Sequence, residues 1–244
     1  MGADAAPHPE DGEGPQRSIL LDPYEVSVAA VSVAEFDAFA SDTGYVTLAE
    51  NLGMSHVFKG QLTKPDNHPA AAPLAPWWRV VLGACWRLPN GETPARDEDP
   101  VVHVSLRDAL AFCHWRGVRL PSEAEWERAA GTQSGITPHI WQGTFPDNPT
   151  APPHPRQVRD APANEFGLFH ACGNVWEWTA DRFTRLHSPR PAKNPRGPLN
   201  GSDMVVKGGS FLCAASYCAR YRPSSRRAEV ATATTSHLGF RVAR

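Results

Sequence analysis

Proline occurs 24 times and glycine 19 times in this chain of 244 residues. Proline at about twice its usual ~5% share interrupts nearly every candidate element, because its ring fixes φ and removes a hydrogen-bond donor. Long helices are therefore few. Residues 32–41 keep helical spacing through Val33, Phe36 and Phe39, and residues 105–116 place Leu106, Leu110 and Cys113 on one face. A third helix is predicted over 122–130, where Ser122 followed by Glu125 forms a capping box. Short strands are expected over 18–21, 24–29, 204–206 and 238–242. Residues 56–103 and 131–165 lack periodicity yet hold Trp77, Trp78, Trp86 and Trp141, so these loops are expected to pack against a core. The reading is α+β with much loop, as one domain over residues 17–244 behind a flexible N-terminal segment, residues 1–16.

Apolar residues at 41% supply a core, and charged residues at 20% are not the balance of a disordered chain. A net charge of −2 gives no general electrostatic drive toward nucleic acid or an anionic membrane, so neither is expected as a partner. No stretch approaches the ~20 apolar residues of a membrane-spanning helix. The first residues lack the basic and then apolar order of a secretory signal, and a cytoplasmic monomer is expected. Five cysteines, Cys85, Cys113, Cys172, Cys213 and Cys218, are too few and too odd in number for a disulfide scaffold.

Two motifs carry candidate chemistry. Cys213 and Cys218 fall on opposite faces of a strand and well apart around a helix, so their sulfurs meet only if Ala214 to Tyr217 forms a turn. Two converged thiolates with no third soft ligand nearby suit Cu(I), and structural zinc fits less well. Arg220 and Arg222 are placed to lower the thiol pKa values. The plainer alternative is a buried thiol pair or a local disulfide. In Gly173-Asn174-Val175-Trp176-Glu177-Trp178 a carboxylate sits between tryptophans and needs a partner. Ca2+ held by Glu177, Asn174 and nearby carbonyls would serve, and so would an arginine bound to Glu177. The ten histidines form no metal-ligand cluster, and no hydrolase elbow, Walker loop or Rossmann fingerprint is present.

Several segments together resemble the formylglycine-generating enzyme (sulfatase-modifying factor) family. They are Arg119-Leu120-Pro121-Ser122-Glu123-Ala124-Glu125-Trp126-Glu127, the Gly173 to Trp178 motif, Gly208-Gly209-Ser210-Phe211-Leu212-Cys213 with Ser216-Tyr217-Cys218, and Leu238-Gly239-Phe240-Arg241. Pro76 to Val81 and Ile140 to Gly143 resemble its catalytic branch. The resemblance implies a single complex C-type-lectin-like fold. It also implies a copper-dependent oxidase that uses O2 to convert a cysteine of an unfolded sulfatase, or another cysteine-containing peptide, into formylglycine. On that resemblance Cys213 and Cys218 bind Cu(I), and Ser210, Trp178 and Tyr217 lie beside the oxygen site. Gly173, Asn174, Val175 and Glu177 correspond to a calcium loop bracing Trp178, and His237 and Arg220 face the substrate.

The departures from the family pattern fall around that site. Ala214-Ala215 replaces a polar pair after the first catalytic cysteine, His237 replaces an asparagine, and residues 229–234 replace an Asn-Thr-Pro-Asp-Ser-Ser stretch. Pro149 to Pro155 holds no acidic residue, so a second calcium site of the family is expected to be lost. Val242 replaces a cysteine and leaves Cys113 without its usual disulfide partner. A non-catalytic binding module of the same fold, or an oxidase acting on another thiol, are the alternatives. An iron sulfoxide synthase is disfavoured, because those enzymes need histidines from a helical domain that this chain lacks.

Overall fold

The computed structural model describes residues 1–244. Four helices form: α1 (Val33–Thr43), α2 (Leu48–Leu52), α3 (Leu106–Arg116) and α4 (Glu123–Ala130). Each begins with a reciprocal capping box, Ser32 with Glu35, Thr47 with Glu50, Ser105 with Asp108 and Ser122 with Glu125. Gly44, Gly53 and Gly117 then end α1 to α3 in the left-handed region. These helices are short because local sequence specifies both their ends, with each N-cap contributing about 1 kcal/mol.

The strands are β1 (Ile19–Leu20), β2 (Met54–Phe58), β3 (Trp78–Leu82), β4 (Gly143–Thr144) and β5 (Asn148–Pro149), followed by β6 (Trp176–Arg182), β7 (Ala192–Lys193), β8 (Asp203–Lys207), β9 (Arg226–Val230) and β10 (Leu238–Phe240). The central sheet has the order β10-β6-β8-β9, with β10 parallel to β6 and the other pairs antiparallel. β2 pairs antiparallel with β3, from Met54 opposite Leu82 to Phe58 opposite Trp78. The predicted strand over 24–29 reduces to a single bridge, Val26 with Ala243. Its amides instead meet the C-terminal residues irregularly, Glu25 N–H donating to Arg244 and Ser27 N–H to Val242.

The main core lies between the sheet and helices α1 and α3. Phe36 stacks on Phe112 at 5.9 Å and meets Trp86 edge-on at 5.1 Å, while Phe112 meets Phe240 at 5.4 Å. Such geometry adds roughly 0.5–1.5 kcal/mol per pair beyond simple burial. The face of α3 differs from the spacing-based expectation: Ala109, Phe112 and Cys113 are buried, while Leu110 is 48% exposed. Trp86 and Trp141 are buried although both lie outside regular elements.

Residues 1–16, set apart above as a flexible segment, lie along the domain. Asp11 and Glu13 are buried, Asp11 pairs with Arg220, and Glu13 pairs with Arg222 at 2.7 Å. Composition alone did not show that these acidic residues have arginine partners far along the chain.

Candidate active site

β8 ends at Lys207, and Gly208 and Gly209 turn the chain at φ +93° and +73°. A Cβ on Gly209 would lie 2.5 Å from the Arg220 carbonyl oxygen, so only glycine fits. The Cys213 N–H then donates to the Ser210 carbonyl at 2.9 Å. The Ala214 carbonyl accepts from the N–H groups of Tyr217, Cys218 and Ala219 at 3.1, 2.9 and 2.9 Å. This compact turn brings Cys218 back to Cys213. Both are buried in the same core cluster and free of any disulfide, and each thiol acts on the other's protonation.

The two sulfurs are electrostatically unlike. The neighbouring Cys213 thiol is the largest influence on Cys218 and, against burial, lowers it to about 6, with Arg220 and Arg227 assisting. Burial first, and then the neighbouring Cys218, pushes Cys213 well up. Near neutral pH the pair is therefore one thiolate steadied by one thiol, a soft anionic donor set.

Both cysteines line a cavity of about 470 Å³, whose walls also include Ser210, Tyr217, Arg220 and His237 from the sequence prediction. Phe145 stacks on Tyr217 at 4.2 Å and 6°, and Trp77 meets Tyr217 edge-on at 5.2 Å. Trp78 lies 4.7 Å from the His237 ring. Burial, then the charge of Arg227, holds His237 well below its ordinary range, and its Nδ1 lies 2.7 Å from the Thr235 hydroxyl.

Three expectations need correction. Trp178 does not reach the cavity: it is fully buried and its indole N–H donates to the Val104 carbonyl at 3.0 Å. Trp176 lines the cavity instead, at the start of β6, where the Phe211 N–H bonds the Asn174 carbonyl at 2.9 Å and draws the 210–218 turn across it. Arg222 is turned onto Glu13, and the second cation beside the thiols is Arg227. Adjacent residues of a strand face opposite ways. Arg226 accordingly meets Glu123 at 2.6 Å while Arg227 reaches the cavity, a separation that needs β9 to be recognised first. Asp11 and Phe145 also line the cavity and went unpredicted as site residues.

The third correction concerns calcium. Glu177 accepts from Arg241 Nε at 2.6 Å, Arg241 Nη2 at 2.8 Å and Trp126 Nε1 at 2.6 Å, so an arginine is its partner. The Asn174 side chain is spent on the backbone of Arg156, accepting at 2.8 Å and donating at 3.1 Å. The residues present do not fit a calcium ion held by Glu177 and Asn174. The one group of three ligand side chains in reach of one another is His8, Glu10 and Asp11, whose carboxylates already face Arg220. No helix is long and apolar enough to cross a membrane.

The chain is a loop-rich C-type-lectin-like α+β domain of the sulfatase-modifying-factor class, and it carries a free thiol pair that opens on an aromatic cavity. Residues 1–244 match the family described as "Sulfatase-modifying factor enzyme 1-like domain". The formylglycine-generating enzyme of Thermomonospora curvata is 43% identical over 270 residues, covering 99% of this chain and 88% of that protein. The mouse protein named inactive C-alpha-formylglycine-generating enzyme 2 is 36% identical over 269 residues, covering 100% of this chain and 82% of that one. The solved structure of PvdO from Pseudomonas aeruginosa has the same fold, with a TM-score of 0.68 at 20% identity over 100% of this chain and 89% of its own. The chain belongs to the sulfatase-modifying factor (formylglycine-generating enzyme) family.

Proposed function

We propose that this protein is a copper-dependent oxidase that converts a peptide cysteine, in a CxPxR context such as that of an unfolded sulfatase, into formylglycine with O2 as oxidant. The observation that carries the reading is the thiol pair itself, two free cysteines brought together by one turn and opening on one cavity. A structural thiol pair has no need of a cavity. Two soft sulfur donors, one already anionic, fit Cu(I). Copper, when bound, supplies the one-electron chemistry with O2 that a thiol and the protein's own side chains lack.

The chain's own residues do the rest. Arg220 and Arg227 favour the Cys218 thiolate, and Arg220 is itself oriented by Asp11. Trp77, Phe145 and Tyr217 wall the mouth of the cavity with apolar surface, which excludes bulk water from the sulfurs. The fully buried Ser210 holds the turn through its Oγ, which accepts the Leu212 N–H at 3.2 Å. In the net reaction the substrate Cβ is oxidised by two electrons, water supplies the carbonyl oxygen, the sulfur leaves as hydrogen sulfide, and O2 takes up the two electrons and two protons as hydrogen peroxide, or goes on to water where an external thiol supplies two more of each.

Cu(I) titration of the reduced protein, followed by oxygen uptake and aldehyde formation on a CxPxR peptide, tests the proposal. Stoichiometric copper binding that disappears in Cys213→Ala and Cys218→Ala, together with aldehyde formation, is expected. Copper binding without turnover would redirect the activity to another thiol. Absence of copper binding would leave a non-catalytic module, as the name of the mouse relative describes that protein.

A further inference from the structure

On the other side of β9 from the thiol cavity lies a second cavity of about 350 Å³. Five arginines line it, Arg17, Arg182, Arg190, Arg196 and Arg226, against two carboxylates, Glu123 and Asp181. Both carboxylates are committed. Glu123 binds Arg226 through two bonds of 2.6 and 2.9 Å, with Lys207 at 3.7 Å. Asp181 accepts the N–H groups of Glu123 and Gly197 at 2.6 and 2.7 Å. The other four guanidinium groups have no carboxylate within 4.0 Å, the limit that defines an ion pair.

The His187 ring adds an independent sign of a missing acceptor. Its Nδ1 lies 3.3 Å from Arg17 Nη2, and its Nε2 lies 2.9 Å from Arg226 Nη1. Burial, then Arg226 and Arg17, pushes His187 down to about 4, so the ring is neutral near pH 7. A neutral imidazole offers one acceptor nitrogen, yet two guanidinium donors face it. Arg226 has carbonyl acceptors in Asp11 and Thr184. Arg17, half-buried and drawn down by that burial, has only the Pro15 carbonyl at 3.1 Å and the weak Met1 sulfur acceptor at 3.4 Å besides, and so keeps guanidinium hydrogens to offer.

We propose that this cavity binds a tetrahedral oxyanion, a phosphate or sulfate group, through Arg17, Arg182, Arg190 and Arg196. The site stands apart from the oxidase reading and does not depend on it. Guanidinium donors arrive from three separate stretches of chain, around residues 17, 182 and 190–196, and so address an acceptor from several directions. A tetrahedral group presents three or four oxygens to such an array, whereas a carboxylate presents two in one plane. The hydroxyls of Thr184 and Ser188 complete a polar lining.

Isothermal titration with inorganic phosphate, inorganic sulfate and glycerol phosphate, at ionic strength fixed with chloride, tests the assignment. Saturable 1:1 binding of at least one of the three is expected. It should weaken at least tenfold in the double variant Arg190→Gln, Arg196→Gln, whose two side chains are exposed and whose loss should leave Tm within a few degrees. Arg107→Gln, exposed on α3, should keep the wild-type affinity. Glycerol phosphate binding tighter than inorganic phosphate supports an esterified ligand, and the reverse order supports the free ion. Heats indistinguishable from chloride, or equal affinity in the double variant and the wild type, overturn the proposal.

Discussion

Replacing Arg241 with methionine removes one side of a buried ion pair that joins β6 to the chain just after β10. Glu177 and Arg241 are each about 1% exposed, and the carboxylate is met by two guanidinium donors and the Trp126 indole N–H. The guanidinium also donates to the carbonyls of Ser27 and Phe169, at 3.2 and 3.1 Å, which ties three distant segments to β6. Arg241→Met leaves a buried carboxylate with one neutral donor, and breaking a buried pair from one side costs about 3–5 kcal/mol. For a domain of this size that lowers Tm by roughly 6–20 °C. The double variant Glu177→Met, Arg241→Met removes both charges; it strands the Trp126 N–H and, like Arg241→Met alone, the Ser27 and Phe169 carbonyls, at about 1–3 kcal/mol for each buried group. Urea denaturation of both single variants and the double variant is the assay. The double variant should be no less stable than Arg241→Met alone, a strongly non-additive result. An Arg241→Met cost below about 1 kcal/mol, or additive single and double effects, would falsify the reasoning. So would a calcium-dependent rise in Tm that Glu177→Gln abolishes, since it would place an ion where Arg241 now sits.

Three further outcomes are expected. Because the neighbouring Cys213 thiol is the main influence lowering Cys218 to about 6, Cys213→Ala should move the alkylation midpoint of Cys218 above about 8; a midpoint still near 6 would assign the lowering to the arginines. Gly209→Ala should cost about 2–4 kcal/mol by denaturation, through its positive φ and the Arg220 carbonyl 2.5 Å away, whereas Gly44→Ala, also at positive φ but with nothing within 4 Å, should cost only about 1 kcal/mol. Equal costs at the two positions would remove the close approach from the account. Burial holds His103 at about 4 and so favours its neutral form in the fold; its stabilisation is complete above pH 6.5 and is lost as pH falls toward 4, by about 3 kcal/mol. Glu123 is opposed by burial but lowered to about 2 by Arg226 and Lys207, so its share persists above pH 4.5 and is lost below it. Urea midpoints from about pH 7 to 3 should show both losses, with His103→Gln reducing the slope between 6.5 and 4 and leaving there the share of His170 and His187, which burial also holds at about 4.

What the sequence revealed and what it withheld divide along the distance over which each group finds its partner. The capping boxes were legible because Ser122 and Glu125 satisfy each other within one turn, and the same holds for Ser32 with Glu35. Strand β6 was hidden because Glu177 and Asp181 break its apolar pattern, and both are buried. Nothing local shows that Glu177 meets an arginine 64 residues later. A carboxylate between two tryptophans required a partner, but the choice between a cation from solution and a cation from the chain is a tertiary fact. The exchange of Trp178 for Trp176 has a related cause. Residues two apart on a strand share a face, so alternation cannot rank them. The ranking comes from the Phe211 to Asn174 bond, which lays the thiol turn over the beginning of the strand and leaves Trp178 to the core beneath. The spacing of Cys213 and Cys218 set a condition, a tight turn between them. The Ala214 carbonyl, accepting three N–H groups, meets that condition through backbone geometry alone. The exposed side chain at 215 is therefore free to vary without separating the sulfurs, whereas Ala214 is buried against Phe58, Trp141 and Phe211, where a larger side chain would have to displace that cluster.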